Sequence, residues 1–153
     1  MKEGLLTAWR MNNEKNLLLL RNTGENALLA RLGSKGRIVG EQMAHLHNVR
    51  INWTEFVAKP LFDKALLLPK EAPPSAQTLI KAFEASSEKI EKVIDTAWSK
   101  EGRLPNYKAG LIPFICYLIS HESHHRGNIL LTLKQSGFKL TDELKWGLWD
   151  WGK

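Results

Sequence analysis

Leu111, Phe114, Leu118, His121, His125, Asn128 and Thr132 recur at steps of 3, 4, 3, 4, 3 and 4. Only an α-helix keeps such positions on one face, because strand side chains alternate with every residue. The spacing predicts a long helix. It opens near Pro113, which suits a first turn, and stops at Gly137 after Ser136. Its apolar line reads as a buried seam with two histidines at its centre.

Three further stretches carry the same period. Leu5, Leu6, Trp9, Leu17 and Leu20 mark a helix over residues 2–22, weakened in its middle by Asn12, Asn13 and Asn16. Beyond Gly24 and the cluster Gly33-Ser34-Lys35-Gly36, a second helix spans 38–58 and is stopped by Pro60. Ile38, His45, Val49, Trp53 and Phe56 form its stripe, with Met43, Leu46 and Val57 beside it. Residues 59–74 form a connection rich in Pro and Leu. Ser75, after Pro73-Pro74, can cap a third helix, which buries Leu79, Phe83, Ile90, Val93, Ile94 and Ala97 and ends before Gly102 and Pro105.

No segment alternates like a strand, and Leu66-Leu67-Leu68 is too short to be one. No internal repeat is present. The expectation is an all-α single domain over 1–153: an antiparallel four-helix bundle with a short aromatic tail, its longer connections leaving room for crossovers. Three of six tryptophans, Trp146, Trp149 and Trp151, crowd the last eight residues, so the tail is expected to dock on the body.

The 153 residues are enough to bury a core without staples. The formal charge of +6 is spread from Lys2 to Lys153 with no run of four bases, whereas nucleic-acid binders concentrate charge on one face or arm. Nucleic acid is therefore not an expected partner. Cys116 is the lone cysteine; it excludes an intrachain disulfide, suits a reducing cytoplasm, and reads as a buried thiol among Ile115, Tyr117 and Leu118. Met1-Lys2-Glu3 leads into an amphipathic pattern and not a secretory leader, and the apolar run Leu111–Ile119 is too short to span a bilayer.

His121 and His125 stand one helical turn apart on the predicted seam. Each buried imidazole needs partners for both ring nitrogens, and a divalent cation satisfies one nitrogen of each at once. Two imidazoles rarely hold a metal tightly, so a third ligand should come from another helix. His45 shares the inward stripe of the second helix; His47, about 200° away around that helix, should face outward near Arg50. His124 lies one residue off the ligand face, which suits a surface or supporting place. Residues 121–125 also match H-E-x-x-H, in which the glutamate would be the general base of a zinc protease. That reading lacks a downstream histidine and any strand for a peptide substrate; Asp142 and Glu143 could ligate in principle.

Three segments carry a resemblance: Val39-Gly40-Glu41-Gln42-Met43-Ala44-His45-Leu46, His121-Glu122-Ser123-His124-His125-Arg126-Gly127-Asn128-Ile129, and Leu148-Trp149-Asp150-Trp151. Together they resemble the DinB-like (DinB/YfiT-type) family of bacterial metalloenzymes, which is unrelated to the DNA polymerase of similar name. The second segment departs from the family signature at Asn128, where Gln is common. The resemblance spans nearly the whole chain. It implies a four-helix bundle holding a divalent metal ion (Zn, Ni or Fe) on His45, His121 and His125, with homodimers common among relatives. Relatives with an assigned role include transferases and isomerases that use low-molecular-weight thiols, so it implies a small-molecule substrate, a thiol among the options, and a metal-dependent transferase or related hydrolase. A non-catalytic, metal-stabilised stress-response or binding module is the alternative. Glu41, one turn before His45, and Glu122, beside the ligands, are candidates to shuttle a proton or to act as supporting acceptors. Arg126 is a candidate to hold an acidic cosubstrate or to pin the bundle by a salt bridge.

Overall fold

The computed structural model describes residues 1–69 and 74–152. Six α-helices follow in order: α1 (Lys2–Arg21), α2 (Glu25–Leu28), α3 (Val39–Val57), α4 (Ala76–Trp98), α5 (Leu111–Gln135) and α6 (Asp142–Gly147). Two 3-10 turns, Lys59–Leu61 and Lys64–Leu66, lie between α3 and α4. No strand occurs among the described residues; one isolated bridge joins Leu104 and Tyr107. The protein is all-helical, and α1, α3, α4 and α5 are the long elements. No helix among the described residues is long and apolar enough to cross a membrane.

The helix ends follow local chemistry. Ser75 caps α4 by accepting from the Thr78 amide at 3.2 Å. Pro73, read as part of the same start signal, lies outside the described residues. Glu41 reaches back to accept the Ile38 amide at 2.8 Å and so closes the first turn of α3. Past the end of α5, Gly137 takes φ +84°, and the Phe138 and Gly137 amides donate to the Leu133 and Lys134 carbonyls. That pairing satisfies two of the end carbonyls, and a left-handed φ there suits only glycine without strain.

The long helices pack α1 on α4, α4 on α3, α3 on α5 and α5 on α1, an arrangement compatible with a four-helix bundle. The core has two apolar halves. One gathers Leu17, Leu20, Met43, Leu46, Leu79, Phe83, Ile129 and Leu133; the other gathers Leu6, Trp9, Val57, Ile90, Ile94, Leu111, Phe114 and Leu118. Each fully buried Leu, Ile or Phe contributes roughly 1.5–3 kcal/mol relative to exposure. Chain order through the two halves gives the helix directions. The early residues of α1 and α5 lie in the second half and their late residues in the first, while α3 and α4 run the other way. Neighbours of opposite sense (α1 with α4, α3 with α5) therefore alternate with neighbours of like sense (α3 with α4, α1 with α5), and a purely antiparallel order does not hold. The physical reason is the connection 58–75: it has the reach to return the chain along a 19-residue helix about 28 Å long.

Between the apolar halves lies a buried polar layer to which each long helix contributes. Asn12, Asn13 and Asn16 come from α1, Arg50 from α3, Ser86 from α4, and Glu122 and Arg126 from α5. The asparagines that the sequence offers as weak points of α1 thus sit inside the fold and are hydrogen-bonded there. Arg50 forms a two-point pair with Glu122, Nε to Oε1 at 2.6 Å and Nη2 to Oε2 at 2.8 Å. Its Nη1 donates to Asn13 Oδ1 at 2.7 Å, and its guanidinium lies between the Trp9 and Phe83 rings, 4.6 and 4.7 Å from their centroids. Asn12 and Asn16 donate to Glu122 Oε2 at 2.6 and 2.7 Å and accept from Arg126 Nη1 at 2.9 and 2.8 Å. Buried charges persist only when paired and hydrogen-bonded in this way.

One expectation fails outside the site, and another holds by a different route. Cys116 is exposed, because its apolar neighbours Ile115 and Leu118 turn to the other side of α5. The aromatic tail docks, but not through its tryptophans: Trp146 and Trp149 are 74% and 78% exposed. Leu144 is buried instead. Lys15 of α1 donates to the Gly147 and Asp150 carbonyls. Gly147 comes so near α1 that a Cβ there would stand 2.6 Å from Leu18 Cδ2.

Candidate metal centre

His45 projects from α3, and His121 and His125 from successive turns of α5. Their ring centroids lie 5.6 Å (His45–His121), 5.0 Å (His45–His125) and 4.7 Å (His121–His125) apart. One ring nitrogen from each falls within 4.8 Å of the others, so the three can hold one metal ion. All three side chains are half-buried. The structure therefore brings together the three histidines that the sequence pattern singles out.

The electrostatics suit a cation. Burial pushes the His125 pKa down to about 4, aided by the neighbouring His121, His45 and His124 and by the Arg37 charge. The His45 pKa is lowered by burial, then by Arg37 and His121. His121 is lowered by burial, opposed by the Glu122 carboxylate. Neutral imidazoles are the ligand form. Moreover, the Nδ1 atoms of His121 and His125 are buried without a hydrogen-bond partner. His47 Nδ1 is unpartnered as well but stands apart from the trio; within a convergent three-imidazole donor set, such nitrogens fit a divalent ion. Three nitrogen ligands would leave at least one coordination position open.

The site opens into two clefts that share His45, Val49 and Asn52. One, of about 400 Å³, is lined by Trp53, Phe56, Tyr117 and His121 as well. Tyr117 stacks on His121 at 6.0 Å between centroids, and Trp53 packs edge-on to Phe56, Phe114, Tyr107 and Tyr117. The other, of about 390 Å³, carries Arg37, Glu41 and Asn48. A larger open cavity near Trp98, Leu104 and Tyr107, about 720 Å³, has no histidine in its lining.

The faces of both helices are rotated from the sequence reading. On α5 the fully buried line runs through Phe114, Leu118, Glu122, Arg126 and Ile129. His121 and His125 border it, and Asn128 is exposed. On α3 the buried line is Met43, Leu46, His47, Arg50, Thr54 and Val57, while Val49 and Trp53 are half-buried and Phe56 is exposed. Of the expected stripe, Ile38 is buried, and His45, Val49, Trp53 and Phe56 form the rim of the clefts. His47 was expected to face outward and is fully buried, because the turn Lys64–Leu66 folds over it and the Leu66 carbonyl lies 2.6 Å from its Nε2. Burial lowers its pKa. Arg50, read as an outward neighbour, is buried by its pairing with Glu122. His124 is exposed and pairs with Asn128, Nδ2 to Nε2 at 3.1 Å.

Glu122 points into the polar layer. Burial by itself resists its ionisation, but the Arg50 charge and the hydrogen bonds from Arg50, Asn16 and Asn12 hold its pKa below the ordinary carboxylate value. A carboxylate so engaged is not a free base, and the protease reading loses its general base along with its strands. Arg126 is likewise buried against Asn12 and Asn16, not open to a cosubstrate. Glu41 stays half-exposed in the second cleft. Of the polar layer, sequence reasoning offers Arg126 as a pin and Glu122 as a supporting acceptor but misses Arg50 and the asparagines; their one signal is the Asn12/Asn16 pair at the same i, i+4 spacing as Glu122/Arg126.

An all-helical chain with three convergent imidazoles on two of its long helices defines a class: helical proteins with a candidate metal centre between helices. Within that class the chain belongs to the DinB family, whose profile it matches over residues 1–142. No curated protein and no solved structure matches it.

Proposed function

We propose that the four long helices form a bundle that holds a divalent cation, Zn, Ni or Fe(II), on His45, His121 and His125. On this reading the protein is a metal-dependent transferase acting on a small molecule, with a low-molecular-weight thiol as the nucleophile. The observation that carries it is the pair of unpartnered buried Nδ1 atoms in a neutral imidazole trio that opens onto clefts. When bound, such an ion supplies a Lewis acid that lowers the pKa of a thiol or water.

The chain's own residues have separable parts. Tyr117 fixes the plane of His121 by stacking on it. Val49, Trp53 and Phe56 offer an apolar wall that excludes water and takes the apolar portion of a substrate. Arg37, Glu41 and Asn52 line the polar side and suit a charged portion. Glu41 uses Oε2 on the Ile38 amide; its other oxygen makes no hydrogen bond among the described residues and is the available proton acceptor.

The alternative, a metal that merely holds the fold together, is disfavoured by the polar layer. The interior ion pair and its asparagines are satisfied without any help from the histidine site. Metal analysis of protein purified without a histidine tag, before and after reconstitution with Zn, Ni, Mn or Fe(II), is the test. Stoichiometric metal in wild type and its loss in His45→Ala and His125→Ala are expected; a wild type that never takes up metal ends the reading. Thiol consumption with electrophiles then tests the transferase step, and activity that survives chelation defeats it.

A further inference from the structure

The ligand trio and the buried polar layer share α3 and α5 at fixed offsets. His121 is followed by Glu122 and His125 by Arg126, while His45 precedes Arg50 by little more than one turn. Adjacent helix positions point about 100° apart, so the same two turns of α5 present two imidazoles to the clefts and two charges to the core.

Arg50 and Glu122 form a two-point contact between the helices that carry the ligands. Asn12 and Asn16, one turn apart on α1, each donate to Glu122 and accept from Arg126. Helix α5 is therefore gripped at two positions one turn apart, each next to a histidine of the trio. Apolar packing alone is non-directional and tolerates sliding. A slip of one residue moves a helix about 1.5 Å along its axis, whereas metal–ligand distances tolerate only about 0.2 Å. A buried ion pair is a weak source of net stability but a good source of register.

We infer that Arg50, Glu122, Arg126, Asn12 and Asn16 are positioning residues that set the register of α5 against α3, through Arg50, and against α1, through the asparagines, and thereby make the three imidazoles converge. Its consequence for metal affinity rests on the metal reading above; the convergence itself does not.

The test replaces the pair by apolar residues of similar size, Arg50→Met with Glu122→Leu. Three readouts are compared with wild type: helicity and thermal unfolding, Co(II) titration with its visible spectrum, and NOEs between the His45 and His125 ring protons in chelator-treated protein, whose centroids lie 5.0 Å apart. The expected result is a folded helical variant whose Co(II) affinity falls by about tenfold or more, whose Co(II) bands change, and whose ring NOEs vanish. A folded variant with unchanged Co(II) affinity and intact NOEs overturns the proposal. If the paired variant does not fold, Asn16→Ser, which removes one leg of the grip, is read out the same way and decides. Wild type that shows the NOEs without taking up Co(II) would sink the metal reading alone; the NOE comparison then still decides the register proposal.

Discussion

His121 and Glu122 are neighbours in the chain and serve different faces of α5, about 100° apart. The His121 ring stands half-buried in the trio, 4.7 Å from the His125 ring, while Glu122 is 1% exposed and its Oε1 lies 2.6 Å from Arg50 Nε. One helical segment thus furnishes both a ligand pair and a core anchor. The two roles respond to substitution in different ways.

Removing the anchor leaves a guanidinium buried without its counter-charge. Glu122→Ala should destabilise the protein by about 3–5 kcal/mol, and Arg50→Ala by a similar amount, because an uncompensated buried charge costs more than the pair contributes. Urea unfolding of both singles and the double closes the cycle. The double variant should lose less than the sum of the two singles; full additivity would mean that the two groups do not interact.

The acid limb of stability follows from the same carboxylate. Its folded pKa lies below the ordinary value of 4.5, so the unfolded chain binds the proton more tightly. The stabilisation is complete above that ordinary value and is lost as pH falls through the depressed folded one. Denaturation midpoints measured from pH 6 downward should drop steeply at the acid end in wild type. In Glu122→Gln that acid drop should flatten, at the cost of lower stability at neutral pH.

The histidines act over a higher window. Folded His125 titrates at about 4, against an ordinary value of 6.5, and His45 and His121 are shifted the same way. Between the two values the unfolded chain holds more protons, so metal-free protein should lose stability as pH falls from about 6.5 towards about 4. Metal uptake should persist at pH 6, where the folded His125 is still neutral, and fail as pH nears 4. Uptake that is already lost at pH 6 would contradict the burial-driven shifts.

The two histidines of α3 separate structure from site. His45→Ala should abolish metal uptake with little change in metal-free stability, since its ring is half-buried at a cleft rim. His47→Ala should do the reverse: it empties a fully buried position and frees the Leu66 carbonyl, costing about 2–4 kcal/mol while the trio stays intact. Calorimetry paired with metal titration distinguishes them. Equal loss of metal in both variants would mean that His47 belongs to the site.

Local signals in this chain were readable because their chemistry is local. Ser75 before α4, Gly137 after α5 and Pro60 after α3 each start or stop a helix through the chemistry of the adjoining backbone. The His45, His121 and His125 trio was readable because i, i+4 spacing and a shared stripe survive a modest rotation of the helix. The rotation itself was not readable. A hydropathy pattern assigns Arg50, Glu122 and Arg126 to solvent, and only partners from other helices, distant in sequence, offset the cost of their burial. The like-directed pairing of α3 and α4 is hidden for a similar reason, since it depends on where the long connection after α3 delivers the chain.

The C-terminal segment offers a last contrast between hydrophobicity and burial. Trp146 and Trp149 look like the anchors of the tail, yet both are mostly exposed, while Leu144 is fully buried and packs with the half of the core that contains Leu20 and Leu133. Leu144→Ala should therefore cost about 2–5 kcal/mol, as large-to-small changes in a core do. Trp146→Ser and Trp149→Ser should stay within about 0.5 kcal/mol of wild type. Lys15→Met should loosen the segment, because its ammonium holds the carbonyls of Gly147 and Asp150. Proteolysis of the tail under native conditions would report it. If the tryptophan variants prove as costly as Leu144→Ala, those rings are covered in solution by a surface that a single chain does not supply.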